Sequence, residues 1–273
     1  MNTRLRIDLG YLGTNFSGWA SQPERRTVQA CLEGAVASAL GYQPEAVKTV
    51  VAGRTDSGVH ALRQVCHLDL PGNFDDQNLE GLRQRVQVEL ATDDIVLHKI
   101  QLAPTGFDAR FSALSRHYEY RIEDASSISN PLHSAFTHRV QHALDESEMN
   151  FLGEQLRGLH DWASFCRAKP EASTIRKLMD FSWRRDELGS LSASVVGDAF
   201  CHSMVRSMVG AAVAVGRFRL SVGDVLAIRD AKKRTSSWTT MPANGLTLLT
   251  INYPEIDQLQ SQAIKSRSRR DKS

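Results

Sequence analysis

Residues 49–70 read TVVAGRTDSGVHALRQVCHLDL, a strand pattern, a glycine-bounded loop and a second strand pattern in direct succession. The apolar run 49–52 leads into the loop, and the alternating run 64–70 leads out of it. Glycines at both ends let the backbone reach positive φ and let a ligand approach closely. A carboxylate held beside a guanidinium in such a turn stays ionised, as a nucleophile or general base requires. Arg54 and Asp56 are therefore candidate site residues, with a solvated hairpin turn as the alternative.

Periodicity on either side of this hairpin completes a larger unit. Leu5, Ile7 and Leu9 alternate with polar residues as in a half-buried strand, and Thr27 can cap a helix that ends at Gly41. The predicted order is β-α-β-β-α-β, the split βαβ arrangement of a ferredoxin-like unit. Its predicted strands are 5–9, 47–52, 64–70 and 95–102, and its helices are 28–40 and 78–90.

The second half repeats this element order. We predict strands at 117–122, 178–183, 191–196 and 246–251, and helices at 146–156, 200–215 and 221–228. The fold class is therefore α+β, with two tandem ferredoxin-like (βαββαβ) subdomains, 1–104 and 105–254, forming a broad mixed, largely antiparallel sheet with a central cleft. Residues 255–273 lack periodicity and are expected to form a basic, flexible tail.

Charge is distributed unevenly along the chain. Residues 258–273 carry five basic residues and one acidic residue, a charge of +4, which leaves −2 for residues 1–257 of a chain whose net charge is +2. Any contact of the body with nucleic acid must therefore use a local basic surface. The candidates are Arg25 with Arg26, Arg83 with Arg85, Arg167 with Lys169, and Lys232 with Lys233 and Arg234.

Composition excludes several other classes of protein. With 273 residues, of which 41% are hydrophobic, the chain can bury a sizeable core. No apolar run approaches the ~18 residues of a membrane span, so we expect no membrane association and a cytoplasmic location. The four cysteines are widely spaced without a C-x-x-C pair, and we expect all four to be small core residues. Zinc-ligand spacing is absent, and no metal or other cofactor is expected.

The loop 52–60, AGRTDSGVH, resembles the catalytic loop of the tRNA pseudouridine synthase A family without interruption. The aspartate of that loop is catalytic in the family, so the resemblance implies this role for Asp56. Leu12 and Ala20 stand where the family usually has Asp and Gln. Further segments resemble the family in the same order between about 5 and 254, namely 11–19 (YLGTNFSGW), 107–113 (FDARFSA), 116–120 (RHYEY), 202–206 (HSMVR) and 245–246 (GL).

Arg206 lies within the apolar stretch 200–210, where a guanidinium rarely goes inside without a partner. The residues alone leave three possibilities open: an ion pair with Asp198, an arginine that reaches solvent, and a more distant carboxylate. His202 lies four residues earlier and is expected on the same helical face. The family resemblance implies that Arg206 pairs with Asp56.

Two further residues receive roles from the same resemblance. Tyr118 and Tyr120 share one face of a predicted strand, and from the pattern alone they could be core aromatics. The resemblance implies that Tyr118 stacks on the target uracil and is a candidate to accept its C5 proton, and that Leu246 packs against the base. The predicted substrate-binding residues are thus Arg54, Tyr118, Arg206 and Leu246.

The resemblance implies an isomerase that converts uridine to pseudouridine in tRNA, in the 3′ side of the anticodon stem and the adjoining loop, acting as a homodimer without a cofactor. Asp56 could add to C6 of the base, attack C1′ of the ribose or remove the C2′ proton, and the residue pattern does not choose among these. The alternative is a non-catalytic RNA-binding or chaperone protein with paired RRM-like units, which the βαββαβ order would also accommodate. The absence of ligand spacing disfavours a metal-dependent nuclease.

Overall fold

The computed structural model describes residues 2–167 and 173–268, and it confirms the α+β class. The described chain divides into two compact units, residues 2–114 with 248–268 and residues 115–247. This division falls ten residues after the sequence-based boundary at 104, and it assigns the C-terminal segment to the first unit.

The first unit has the predicted β-α-β-β-α-β order. Its antiparallel strands follow the order β4-β1-β3, and β2 pairs with β3. The elements are β1 (Asn2–Tyr11), α1 (Val28–Leu40), β2 (Thr49–Val51), β3 (His60–Pro71), α2 (Asp76–Leu90) and β4 (Ile95–Leu102).

The sequence signals for these elements are reproduced in their packing. Leu5, Ile7 and Leu9 are all buried on one face of β1, as the alternation predicts. The hydroxyl of Thr27 accepts a hydrogen bond from the backbone N–H of Ala30 and caps α1. The long strand β3 faces β1 over most of its length, so the loop between β2 and β3 begins and ends on the framework of this sheet.

The second unit contains a four-stranded sheet in the order β5-β9-β8-β7, with the short β6 parallel to β5. Strand β7 and strand β6 were not predicted. The elements are β5 (Ser115–Glu123), β6 (His138–Arg139), α3 (Glu146–Leu156), β7 (Gly158–Asp161), β8 (Ile175–Arg185), β9 (Leu191–Gly197), α4 (Met204–Gly216) and α5 (Val222–Asp230).

Helix α4 begins at Met204, and the prediction that it begins at 200 is wrong. Ser203 has a left-handed backbone, with φ +65°, which interrupts helical geometry immediately before α4. His202 therefore does not lie on α4, and the expected helical spacing between His202 and Arg206 is also wrong.

Most of the C-terminal segment is helical, where the sequence predicts a flexible tail without periodicity from residue 255. After β10 (Leu246–Asn252), residues Leu259–Arg267 form α6. Leu259 and Ala263 lie one turn apart and are buried, and the carbonyl of Leu259 accepts a hydrogen bond from Ser112. Residues 269–273 of the predicted tail lie outside the described residues.

The cysteines divide into two groups. Cys166 and Cys201 form a disulfide within the second unit, with 5.8 Å between their Cα atoms, so the expectation of four unpaired core cysteines is wrong for this pair. Folding brings the end of the turn after β7 beside the segment before α4, which their separation in sequence does not reveal. Cys66 is buried and Cys31 is half-buried, and both are free thiols. None of the described helices has the length and apolar character needed to cross a membrane.

Candidate active site

The loop between β2 and β3 holds Asp56 on a fixed backbone. The carbonyl of Thr55, immediately before Asp56, accepts a hydrogen bond from the Trp19 N–H at 3.1 Å. On the other side, the N–H of Gly58 donates to the Phe16 carbonyl at 3.3 Å. Asp56 itself is half-buried. The loop is therefore anchored on both sides of the candidate carboxylate.

A second loop, residues 12–19, contacts the Asp56 loop and supports its backbone. His60 accepts a hydrogen bond at Nδ1 from the N–H of Gly13, at 3.0 Å. Gly18 has a φ of +92°, and a Cβ atom at this position would lie 2.8 Å from the Thr55 carbonyl oxygen. This loop lies within the segment 11–19 (YLGTNFSGW), which resembles the corresponding segment of the family. Its departure at Leu12 falls on an exposed side chain.

A buried polar network that the sequence pattern did not predict contacts the Asp56 loop. The hydroxyls of Tyr11 and Thr55 are 2.8 Å apart. The Gln64 amide donates to Tyr11 Oη at 3.2 Å and to the Gly53 carbonyl at 2.9 Å. The available signal was Gln64 itself, because this polar residue occupies an inward position in β3, opposite Leu9 of β1.

Tyr118 lies in the second unit, on β5 opposite Val195 of β9. Tyr118 is almost fully buried, and its ring packs in a T-shaped arrangement against the ring of Phe200, with ring centroids 5.4 Å apart. Phe200 belongs to the non-helical segment before α4, so this segment braces the tyrosine ring. The core-aromatic interpretation and the stacking interpretation are both compatible with this packing.

Arg206 lies in the first turn of α4 and is half-buried. Its Nη1 donates to the Met241 carbonyl at 3.0 Å, and its Nη2 donates to Ser203 Oγ at 3.2 Å. The N–H of Met241 in turn donates to the Arg206 carbonyl. The guanidinium is thus oriented from two directions by neutral oxygen acceptors.

Leu246, the first residue of β10, is buried and lies five residues after Met241, the residue that contacts Arg206. The hydroxyl of Tyr120 donates to the Pro242 carbonyl at 2.8 Å. A Cβ atom on Gly245 would lie 2.6 Å from the Tyr120 ring, so only glycine fits before Leu246. Burial raises the pKa of Tyr120, and the positive charge of Arg206 opposes that rise. The 241–246 segment therefore connects Arg206, Tyr120 and Leu246 within one unit.

The predicted site residues divide between the two units. Arg54 is exposed beside Asp56 in the first unit. Tyr118, Arg206 and Leu246 belong to the second unit. In the part of the chain that the structure describes, no group of three or more His, Cys, Asp or Glu side chains could hold a metal ion.

Comparison with known proteins identifies the class of this protein. A family model described as tRNA pseudouridine synthase matches residues 153–254, which include Arg206 and Leu246. Together with the relatives named next, this match defines the class of the protein as a pseudouridine synthase. Among named relatives, tRNA pseudouridine synthase A of Leifsonia xyli is 45% identical over 98% of this chain and 98% of the relative. The enzymes of that name from Cutibacterium acnes and Corynebacterium glutamicum are 45% and 40% identical, each over 98% of this chain and 95% of the relative.

The chain belongs to the tRNA pseudouridine synthase A family. It is therefore an enzyme of the isomerase class, and the alternative of a non-catalytic RNA-binding protein is not supported. The resemblance drawn from the loop 52–60 is confirmed at the level of the family. The individual roles of the site residues stay predictions.

Proposed function

We propose that the protein isomerises uridine to pseudouridine in the 3′ side of the anticodon stem and the adjoining loop of tRNA, with Asp56 as the essential carboxylate. The observation that supports this most directly is the Asp56 loop, whose backbone is anchored at Thr55 and Gly58 while the carboxylate stays half-buried. A carboxylate held in this way is oriented before substrate arrives, which lowers the cost of reaching the transition state.

The reaction needs a carboxylate beside the sugar and the base. The bond between ribose C1′ and uracil N1 breaks, the base turns, and a C1′–C5 bond forms while the C5 proton leaves. Addition of Asp56 to C6, attack at C1′ and removal of the C2′ proton all begin from the ionised carboxylate. A uridine in a stem must also leave the helix, at a cost of the order of a few kcal/mol, which substrate contacts must offset.

We assign Arg206 and Tyr118 supporting roles from the family resemblance. The resemblance implies that Arg206 pairs with Asp56. The bonds to Met241 and Ser203 hold the Arg206 guanidinium in a defined orientation. Tyr118 stacks on the uracil, and the T-shaped contact with Phe200 supports its ring. A phenol has an ordinary pKa of about 10, so its use as the C5 base requires a neighbouring group to assist.

Arg54 and Leu246 complete the proposed substrate-binding set. Arg54 is exposed beside Asp56 and is suited to a phosphate oxygen, since a guanidinium presents several donors in a fixed geometry. Leu246 supplies an apolar contact for the base. Recognition by backbone and shape fits a substrate region that differs in sequence among tRNAs. A homodimer is proposed on the resemblance alone, and light scattering on purified protein would test it.

The direct test uses tRNA that carries tritium at C5 of its uridines. Wild-type protein should release tritium to water, and Asp56→Asn should reduce release at least about 1000-fold, because the isosteric amide cannot act as nucleophile or base. Asp75→Asn is the matched control: Asp75 caps α2, and asparagine caps equally well. Release by Asp56→Asn at the wild-type rate would contradict the catalytic role.

The location of the modified uridine is tested separately. Carbodiimide derivatisation of the product tRNA, followed by reverse transcription, stops the transcript next to each pseudouridine. Stops should fall in the 3′ side of the anticodon stem and the adjoining loop. Stops confined to another arm would overturn the proposed location and leave the proposed role of Asp56 intact.

A further inference from the structure

We propose that Tyr11 and Gln64 are positioning residues, which hold Thr55 and thereby fix the direction of the neighbouring Asp56 carboxylate. The proposal rests on the proposed function of Asp56. It assigns no contact with substrate to either residue, because both act through the loop backbone and the Thr55 side chain.

The three side chains form one connected group inside the first unit. Tyr11 is the last residue of β1, Gln64 lies in β3, and Thr55 precedes Asp56 in the loop. Their relative exposures are 5%, 0% and 7%, so water does not compete for these bonds. The Tyr11 and Thr55 hydroxyl oxygens are 2.8 Å apart, and Gln64 Nε2 reaches both Tyr11 Oη and the Gly53 carbonyl.

The directions of the Gln64 hydrogen bonds follow from the chemistry of the partners. Gln64 Nε2 faces the Gly53 carbonyl, which only accepts, while Gln64 Oε1 accepts from the Val65 N–H at 3.2 Å. The same Nε2 therefore donates to Tyr11 Oη. Tyr11 Oη and Thr55 Oγ1 share a further hydrogen bond, in which either hydroxyl can be the donor. Burial raises the pKa of Tyr11 to about 12, so the phenol keeps its proton at neutral pH.

The hydrogen bonds of this network hold the Asp56 loop. The Tyr11 hydroxyl bonds to Thr55 and Gln64, and the Gln64 side-chain N–H groups bond to Tyr11 and to the Gly53 carbonyl. The one bond outside this set joins Gln64 Oε1 to the Val65 N–H. A pair of apolar residues would fill the same space without the desolvation cost of buried polar groups. What the polar pair adds is a fixed Thr55, held also through its carbonyl by Trp19. Displacement of a reacting group by about 1 Å can cost about 100-fold in rate.

The test removes single atoms from the network. Tyr11→Phe deletes only the hydroxyl, and we expect kcat for tritium release to fall about 10- to 100-fold, with KM for tRNA unchanged within about twofold because no substrate contact is lost. Tyr42→Phe is the matched control. It deletes a hydroxyl that donates to the Pro71 carbonyl in the same unit, away from the Asp56 loop, and it should leave kcat unchanged.

The kcat of a double variant distinguishes a positioning role of this hydrogen bond from a general loss of packing. Thr55→Val should reduce kcat as Tyr11→Phe does, and the double variant should be no worse than the more affected single variant, because both remove the same interaction. Thr55→Ser keeps the hydroxyl and should retain near-wild-type kcat. This Thr55 pair also provides the test if Tyr11→Phe does not fold.

The outcomes separate this inference from the function of Asp56. If folded Tyr11→Phe releases tritium at the wild-type rate while Asp56→Asn is inactive, the positioning role is wrong and the catalytic role stands. Additive losses in the double variant, or equal losses in Thr55→Ser and Thr55→Val, would also overturn the inference. If wild-type protein releases no tritium, the proposed function itself fails.

Discussion

Gly18 illustrates how a single residue outside the Asp56 loop limits where that loop can lie. Its φ of +92° is a conformation that side chains with a Cβ rarely adopt. An added Cβ would lie 2.8 Å from the Thr55 carbonyl oxygen and 3.1 Å from the Asp56 carbonyl carbon. Both neighbours are backbone atoms, so a change of side-chain rotamer cannot relieve the contact. The loop itself would have to move.

Gly18→Ala should therefore reduce both activity and stability. We expect kcat for tritium release to fall at least about 10-fold and the free energy of unfolding to fall by about 1–3 kcal/mol. Gly41→Ala provides the control, since Gly41 has a φ of +67° with no heavy atom within 4 Å of an added Cβ. It should lose about 1–2 kcal/mol from its backbone conformation and keep full activity. Equal activity in the two variants would show that Gly18 does not constrain the loop.

At the scale of secondary-structure elements, α6 is the largest departure from the sequence-based expectation. Residues 259–267 are mostly polar, and a helix of nine residues is marginal on its own. Its stability must come from the face that carries Leu259 and Ala263, which are both buried. Arg267 adds a 2.9 Å ion pair with Asp108 at the other end of the helix. Tertiary contacts, rather than local periodicity, thus determine this element.

If the buried face stabilises α6, then a buried and an exposed aliphatic residue of this helix should respond differently to replacement by alanine. Leu259 is 3% exposed, and Leu259→Ala should lower the free energy of unfolding by about 2–5 kcal/mol through lost burial and the cavity left behind. Ile264, in the same helix, is 60% exposed, and Ile264→Ala should change stability by no more than about 0.5 kcal/mol. Urea denaturation measures both. A flexible tail would give two equally small changes.

The sequence correctly predicts those elements whose formation depends on residues that are close together in the chain. The cap at Thr27 and the alternation of Leu5, Ile7 and Leu9 act within a few residues, and the structure reproduces both. The disulfide between Cys166 and Cys201 depends on how distant segments pack, so spacing could not reveal it. The partners of Gln64 depend on pairing between β1 and β3 for the same reason. Within the candidate site, the loop motif indicated Asp56, but the support beneath it required three-dimensional information.

Across the whole molecule, we expect intramolecular ion pairs to decide which of the predicted basic clusters are available to bind the phosphates of tRNA. Arg26 is held by Asp94 at 2.7 Å, and Arg83 is held by Glu80 at 2.6 Å, so both charges are largely offset. The turn at 232–234 is exposed and forms no salt bridge with any residue in the described ranges 2–167 and 173–268. With a net charge of only +2, local surfaces of this kind must supply the attraction to RNA.

The salt dependence of tRNA binding should therefore differ between variants of the exposed 232–234 turn and variants of the arginines that form salt bridges. Each phosphate contact contributes about 0.9 to the slope of log K against log salt on a duplex. Replacement of Lys232, Lys233 and Arg234 by Gln should weaken binding and reduce that slope by up to about 3. Arg83→Gln removes a charge already paired with Glu80 and should leave the slope nearly unchanged. An equal reduction per charge in both variants would mean that intramolecular pairing does not decide which cations meet the tRNA backbone.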